Sequence, residues 1–573
     1  MKSLFARNKT QLYYAFLLLL VIIVQSVVIL HYTFERQNLF VDEVWTFNTA
    51  NHYYFPFLFQ STEPYLNHWL PASFWSNSVV VDPDHTFSYD SVFYNMSLDN
   101  QPPFYFMVIH TICSLFPGEF SRWFGIVPNL LFFVLGQLTL YMIGLKLFGK
   151  NATALGLCLL YGSCWGTINN VMLIRMYTML TFFAILTYWV HLQMIEEVKE
   201  FKEQQFSKKT LILVFIISVF GFLTHYFFLV YASYMFLGTV LLLLFYHRTH
   251  MIKRYFFTLL GALLSCILIN PCIPAQFIGT TGNQGSATWH NLVQPDFLNR
   301  ISIMSKLISQ DLLGHKARIF ILLILFLFIA KIISDVRKNV SSSDITDTIT
   351  AAWEKELSTF TFSIHFNTVR PGLFLAVFTS ILYFLTASKI IPYYENRYMY
   401  IIYPLVIVFL FSILFGLLKS LKLKTSVSLV VTVLVLLGLN VNYYSRNHIK
   451  FLDDTYPKML ATISTDYSDV NMITVTNSPV WWPVVTNLLL FREVPNTLMM
   501  SEQRLSEIKD VVDSLPSNPD SFLTYRGNNC KIKPKDFVEK IAKISGYKNY
   551  RLIGNQFGEI YFFYKERRRF HEH

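Results

Sequence analysis

Two acids stand side by side in an aromatic stretch, Phe40-Val41-Asp42-Glu43-Val44-Trp45, just past the first long apolar run of the chain. Carboxylates beside a membrane exit are costly to desolvate and do little to anchor a helix, so their presence calls for chemistry. Such a pair can accept the proton of an attacking hydroxyl, share a proton, or ligate a cation. A second set of polar residues interrupts later apolar runs. Gln101 lies in Asn100-Gln101-Pro102-Pro103, Arg175 precedes Met176-Tyr177, and His225 stands between Thr224 and Tyr226. Lys389 and Arg397 flank Pro392-Tyr393-Tyr394-Glu395-Asn396. Cations and N–H donors of this kind suit a growing negative charge, and the helix start at Pro102-Pro103 adds free backbone N–H groups. Taken singly, Arg175, Lys389 and Arg397 read more readily as interfacial anchors, and His225 as a hydrogen-bonded interfacial residue. Tyr177, Tyr226 and Tyr394 fit an aromatic belt by the same reading.

What must position these residues is membrane-embedded. The chain has 573 residues, 53% hydrophobic and 17% aromatic against 14% charged, outside the balance of a soluble globular protein. Its net charge of +11 falls in short clusters between apolar runs, which fits membrane orientation and speaks against nucleic acid as a partner. Cys113, Cys158, Cys164, Cys266 and Cys272 lie in or beside apolar runs and only Cys530 in polar sequence, with no disulfide or metal-ligand spacing. Lys2, Arg7 and Lys9 before the run 12–30 indicate a retained first helix with a cytoplasmic N-terminus.

Apolar runs follow near 104–116, 124–148, 152–165, 176–193, 211–229, 232–246 and 255–273. A second polar loop is expected at about 275–316, then runs near 319–333, 372–388, 399–418 and 427–443. The fold class expected is an α-helical polytopic membrane protein of about eleven to thirteen transmembrane helices with a small external C-terminal α/β domain. Placing every basic cluster inside (146–150, 199–209, 247–254, 331–338 and 419–424) leaves Arg175, His225, 275–316 and 389–397 outside, on the side of Asp42 and Glu43. The stretch 104–148 must cross an odd number of times yet shows two runs, so a re-entrant run or two half-spans stay open. Residues 1–443 form the expected membrane domain, with outer loop 31–103, and residues 444–573 the external domain. Within the latter, 472–476, 521–525 and 559–564 read as strands, and 501–515 and 535–545 as helices.

On this conjunction the chain resembles the GT-C superfamily of polyprenyl-phosphate-dependent glycosyltransferases, in particular the branch of protein mannosyltransferase-like and lipid A aminoarabinose transferase-like enzymes. The resemblance rests on the acidic pair of the first outer loop, on Gln101-Pro102-Pro103-Phe104-Tyr105, on Arg175-Met176-Tyr177 and Thr224-His225-Tyr226, and on Tyr394-Glu395-Asn396-Arg397-Tyr398 before Pro404. It spans the membrane part. It implies transfer of one hexose or pentose from a polyprenyl-phosphate donor to a glycan, lipid or protein acceptor at the outer face, with inversion. Asp42 is then the candidate base and Glu43 orients the acceptor or Asp42. Arg175, His225, Lys389, Arg397 and Gln101 are candidates for the donor phosphate, and Tyr177, Tyr226 and Tyr394 for substrate. Two departures stand out. The family's His before Pro-Pro is Gln101 here, and Trp481-Trp482 runs into Pro483-Val484, unlike the Trp-Trp-Asp-Tyr-Gly of oligosaccharyltransferases. No cofactor is indicated with certainty; the acid pair could take a divalent cation, although two carboxylates are too few ligands to argue a site.

A secondary transporter or lipid flippase is the rival, though internal repeats and midplane charges are missing from the sequence. A non-catalytic membrane assembly protein on the same scaffold is a third reading, separable only by whether Asp42 is needed. The expected location is a bacterial plasma or inner membrane, multi-pass, with the site and C-terminal domain extracytoplasmic.

Overall fold

The computed structural model describes residues 2–55, 65–200, 205–278, 283–339, 369–477, 485–516, 520–555 and 558–565. Residues 481–484, used in the comparison with oligosaccharyltransferases, and part of the basic run 199–209 lie outside the described residues. The chain divides into two compact units. One comprises Met1–Tyr32, Asn100–Tyr105 and Ile126–His448, the other Thr33–Asp99, Phe106–Gly125 and Ile449–His573.

The first unit is helical. Without water in a bilayer core, a backbone must satisfy its own N–H and C=O groups, and runs of 18 or more apolar residues therefore coil. Eight helices among the described residues are long and apolar enough to cross: Lys9–Glu35, Trp123–Phe148, Tyr177–Val198, Phe227–Phe245, His250–Ile269, Ala317–Ser334, Pro371–Ile390 and Asn396–Ser420. Phe104–Ser114 and Thr425–Asn440 are shorter apolar helices, and Lys208–Thr224 has 17 residues. The larger expected number of spans had included these shorter runs. Trp123–Phe148 is one continuous helix, which removes the two half-spans left open for that run. Tyr177–Val198 is the central helix, 78% buried, whereas Ala317–Ser334 is 11% buried and leaves its sides to lipid. The stretch expected as a polar loop after 275 instead forms the helices Ile273–Ile278, Asn283–Val293 and Phe297–Leu313. The last of these buries Arg300, Met304 and Asp311, spaced four and seven apart on one face, a helical period that its many polar residues mask.

Between apolar helices in lipid, close approach and polar contacts replace the hydrophobic effect. A Cβ on Gly144 would lie 2.7 Å from Ala154 Cα, so Trp123–Phe148 meets Asn151–Ser163 backbone to backbone. Beside that contact, Gln137 Nε2 donates to Gln25 Oε1 (2.8 Å), and Gln25 Nε2 donates to the carbonyls of Cys158 (3.1 Å) and Leu159 (3.0 Å).

The second unit is built on a six-stranded mixed sheet: β1 (Trp69–Pro71), β2 (Met472–Thr476), β3 (Asn496–Ser501), β4 (Ser521–Gly527), β5 (Asn549–Asn555) and β6 (Gly558–Tyr564), in the order β1-β3-β2-β4-β6-β5. β2 pairs in parallel with β3 and β4, and the other pairs are antiparallel. β2 is buried along its whole length, as a parallel strand covered on both faces must be. Ile473, Val475, Phe522 and Phe563 form the core with Phe537 and Ile541 of the helix Pro534–Ser545. Thus β2, β4 and β6 lie where the sequence indicates strands, and β1, β3 and β5 were not foreseen. β1 is three residues ending in Pro, and β5 is an exposed polar edge with a bulge at Leu552/Gly554. The division also differs from a cut after residue 443. Because β1 comes from the first loop, most of 31–103 folds into the same unit as the C-terminal sheet.

Candidate functional site

Within the helical unit, the polar interruptions of the apolar runs come together around a cavity of about 160 Å³. Gln101, Tyr177, His225, Tyr226, Gln276 and Tyr398 line it together with apolar side chains, among them Phe227, Phe277 and Pro392. Several arrive by a break in a helix. His225 sits in extended backbone between Lys208–Thr224 and Phe227–Phe245, and Arg175 in the turn between Trp165–Met172 and Tyr177–Glu200. That turn is held by Asn129, whose Nδ2 donates to the carbonyls of Val171 (3.2 Å) and Leu173 (2.6 Å), while Tyr105 Oη donates to Asn129 Oδ1 (3.2 Å). Arg397 lies on the 3-10 helix Asn396–Ile402, its guanidinium 6.0 Å from the centre of the Tyr177 ring and 5.5 Å from that of Tyr398. Tyr226 Oη donates to Gln276 Oε1.

Electrostatics make this set anion-attracting. Arg175 and Arg397 are both buried. His225 lies outside the membrane-spanning segments, and burial, with the positive charges of Arg175 and Arg397, pushes it down to about 3. It is therefore a neutral imidazole at physiological pH and not one of the cations. Its Nδ1 accepts the Phe227 N–H (3.0 Å), which leaves the proton on Nε2 as a donor. Gln101 is 7% exposed, and its Oε1 accepts no hydrogen bond among the described residues. A buried amide oxygen in that state favours a ligand hydroxyl or N–H.

Sequence reasoning passed over Asp311. It lies in the last turn of Phe297–Leu313, 1% exposed, and accepts hydrogen bonds from Asn396 Nδ2 (2.5 Å) and Tyr403 Oη (2.6 Å). These bonds pin both ends of the 3-10 helix that carries Arg397. A Cβ on Gly166 would lie 2.5 Å from the Tyr403 ring and 2.8 Å from Asp311 Cβ, so glycine is what lets the cluster close. The argument that singled out Asp42, an acid against an apolar background, would have found Asp311 had 275–316 not been read as a loop.

Lys389 and Tyr394 belong to a second cluster of the same unit. Arg300 Nε donates to both oxygens of Asp296 (2.9 and 2.8 Å) and its guanidinium lies 5.2 Å from the centre of the Tyr394 ring. Tyr394 Oη donates to Asp296 Oδ2 (3.2 Å), and Lys389 Nζ donates to the Gln294 carbonyl. Burial pushes the Asp296 carboxyl up, but the hydrogen bond and charge of Arg300, with Tyr394 and Lys389, bring it below its usual value.

Asp42 and Glu43 lie in the second unit, in the first turn of the helix Val41–Asn51. Glu43 is fully buried, pairs with Arg36, and accepts the N–H of the N-cap residue Phe40 (2.6 Å). This fixes the helix start and with it the backbone of Asp42, which is half-buried. Arg122 donates to the carbonyls of Thr33 (3.1 Å) and Arg36, bracing the same corner. Among the described residues no three His, Cys, Asp or Glu come together in a way that could hold a metal ion.

Residues 100–274 match the family described as dolichyl-phosphate-mannose-protein mannosyltransferase. The matched segment contains Gln101, Arg175, Tyr177, His225 and Tyr226; Asp42, Glu43, Lys389, Tyr394 and Arg397 lie outside it. No curated protein matches the sequence. Among solved structures, ArnT from Cupriavidus metallidurans bound to undecaprenyl phosphate is similar at 11% identity and TM-score 0.44, over 95% of this chain and 97% of that one. The apo form of that protein gives 10% identity and TM-score 0.43, over 91% and 95%. An oligosaccharyltransferase from Archaeoglobus fulgidus, in complex with Zn and sulfate, gives 10% identity and TM-score 0.30, over 74% and 59%. The family match holds part of the cavity lining, Gln101, Tyr177, His225 and Tyr226, while Gln276, Pro392 and Tyr398 lie beyond it. The chain is a multi-pass membrane protein, and its residues 100–274 carry the match to the mannosyltransferase family.

Proposed function

We propose that the chain transfers a single sugar, a hexose or pentose, from a polyprenyl-phosphate donor to a glycan, lipid or protein acceptor on the outer face of a bacterial plasma or inner membrane. One observation carries the reading: a cavity lined by neutral His225 and by the open amide oxygen of Gln101, with Arg175 and Arg397 behind its lining, near enough for their charges to act on His225. A sugar phosphate needs both halves of that set, cations and an N–H for the phosphate and a hydrogen-bond acceptor for a hydroxyl. In the reaction the acceptor oxygen attacks the anomeric carbon and loses its proton to a carboxylate, for which Asp42 is the candidate. The bond from that carbon to the phosphate oxygen breaks and the phosphate leaves with the electron pair, its charge met by Arg175, Arg397 and His225. A single displacement inverts the anomeric centre. Tyr177, Tyr226 and Gln101 border the sugar; no step is routed through a metal.

The test uses the purified full chain in detergent with radiolabelled polyprenyl-phosphate sugars and a membrane glycan extract. Wild type is expected to release polyprenyl phosphate and Asp42→Asn to release at least about a hundredfold less, with folding intact. Wild type that releases none, yet carries labelled lipid across reconstituted vesicles, would establish a transporter in its place.

A further inference from the structure

Between Arg36 and Arg122 the chain has no Lys or Arg, yet it has eight Asp and Glu. On the surface of the second unit this stretch displays a ledge of aromatic rings. Tyr53, Tyr54 and Tyr94 are 41%, 39% and 42% exposed. Tyr54 packs edge-on against Tyr53 (4.9 Å) and at a tilt against Tyr94 (5.2 Å), and Tyr53 stacks on His85 (3.6 Å).

The ledge is held against local backbone preference. Tyr54 has φ 45° and Phe87 φ 57°, a left-handed conformation rare for bulky residues and common where function requires a fixed orientation. A serine hydroxyl accepts each of their backbone N–H groups, Ser91 from Tyr54 (2.8 Å) and Ser114 from Phe87 (3.0 Å). Tyr54 Oη donates to Asp90 (2.6 Å), and Asp82 lies 3.6 Å from His85. The bond to Asp90 pushes the Tyr54 hydroxyl up to about 12 and holds the Asp90 carboxyl below its usual range. At neutral pH the ledge therefore presents exposed rings beside an ionised carboxylate.

We propose that this ledge binds an oligosaccharide that is uncharged or positively charged, and so docks the acceptor chain. Exposed, pre-oriented rings stack against the C–H faces of pyranose units at little cost in conformational entropy, and carboxylates accept hydrogen bonds from hydroxyl or ammonium groups. The exposed Asp84 and Asp90 beside the ledge, in a stretch without Lys or Arg, repel phosphate-bearing or uronic polymers. It also argues against an anionic lipid surface, because membrane-surface aromatics are normally accompanied by Lys and Arg. The word acceptor rests on the transferase reading above; the binding itself does not.

The test titrates the purified full chain, without donor, with maltoheptaose, a glucosamine hexamer and an oligogalacturonate. The neutral or the cationic chain is expected to bind, the anionic one at least about tenfold more weakly, and Tyr54→Ala and Tyr94→Ala each to weaken binding about five- to tenfold. Asp90→Asn should weaken the glucosamine chain more than maltoheptaose. Binding of neither the neutral nor the cationic chain, equal binding of the anionic one, or indifference to both tyrosine substitutions would overturn the proposal. In vesicles, a Tyr54→Trp protein should keep its fluorescence in brominated lipid; quenching would assign the ledge to the membrane surface. Wild type that binds sugar but releases no polyprenyl phosphate refutes the transferase reading alone, and the converse refutes this inference alone.

Discussion

The helical unit holds two clusters of cations among tyrosines, and they differ in what the positive charge acts upon. Around Arg175 and Arg397, burial and two guanidinium groups keep His225 neutral. Around Arg300 and Lys389, the positive charge keeps Asp296 ionised, and Arg300 is bonded to that carboxylate through Nε. The second cluster binds the Pro392–Glu395 turn to neighbouring helices: Arg300 also donates to the Ile391 carbonyl (3.0 Å) and to Asn291 Oδ1 (3.0 Å). The first borders a cavity. In sequence both read as basic residues beside tyrosines at a helix end, so residue type alone does not separate a ligand site from a structural clasp.

The sharpest way to break that comparison is to neutralise one cation in each cluster. Arg397→Gln should lower kcat/KM for donor consumption about a hundredfold, the scale of removing one preorganised charge-stabilising donor. Arg300→Gln should mainly lower Tm and leave kcat within about threefold; equal losses of kcat/KM would erase the distinction. Next in size is Asp311. Asp311→Ala strands the buried donors of Asn396 and Tyr403 and should destabilise the protein by about 1–3 kcal/mol in thermal unfolding. Asp311→Asn should keep most of that stability yet lower kcat/KM about tenfold, because it loosens the helix that carries Arg397. A purely structural role would leave the kcat/KM of the folded Asn variant unchanged.

His225 gives a smaller, pH-resolved effect. Its folded value lies near 3 and the unfolded one near 6.5, so between those pH values the unfolded chain binds the extra proton. Stability is therefore lost as pH falls below about 6.5, and His225→Asn should remove that part of the acid sensitivity. The factor by which His225→Asn slows turnover should be the same at pH 7.5 and pH 6, since a neutral imidazole does not titrate there; a factor that changes would mean His225 acts as a cation. The smallest effect is expected at Lys389, which donates to the Gln294 carbonyl and stands 5.8 Å from the Phe297 ring. Lys389→Met should change turnover by less than about twofold.

The helical membrane architecture was legible because long apolar runs have essentially one solution in lipid, and β2, β4 and β6 were legible because buried strands announce themselves by continuous apolar sequence. Gln101, Tyr177, His225 and Tyr226, which line the cavity, stand out in the sequence because polar residues that interrupt apolar helices are costly to keep there. Asp311 was hidden by a polar helix that resembled a loop, and β1 by its three-residue length.

By itself the amino-acid sequence determined what must be helical, where the helices break, and which side chains the breaks expose, since these follow from local hydrophobicity and backbone hydrogen bonding. Tertiary structure alone decided which of those side chains meet. It set His225 among guanidiniums and made it neutral, drew Asp311 under the helix of Arg397, and joined Trp69–Pro71 to a sheet whose neighbouring strand begins at Asn496. Charge state and pairing depend on neighbours tens to hundreds of residues away in sequence, and that proximity is information that only the folded chain contains.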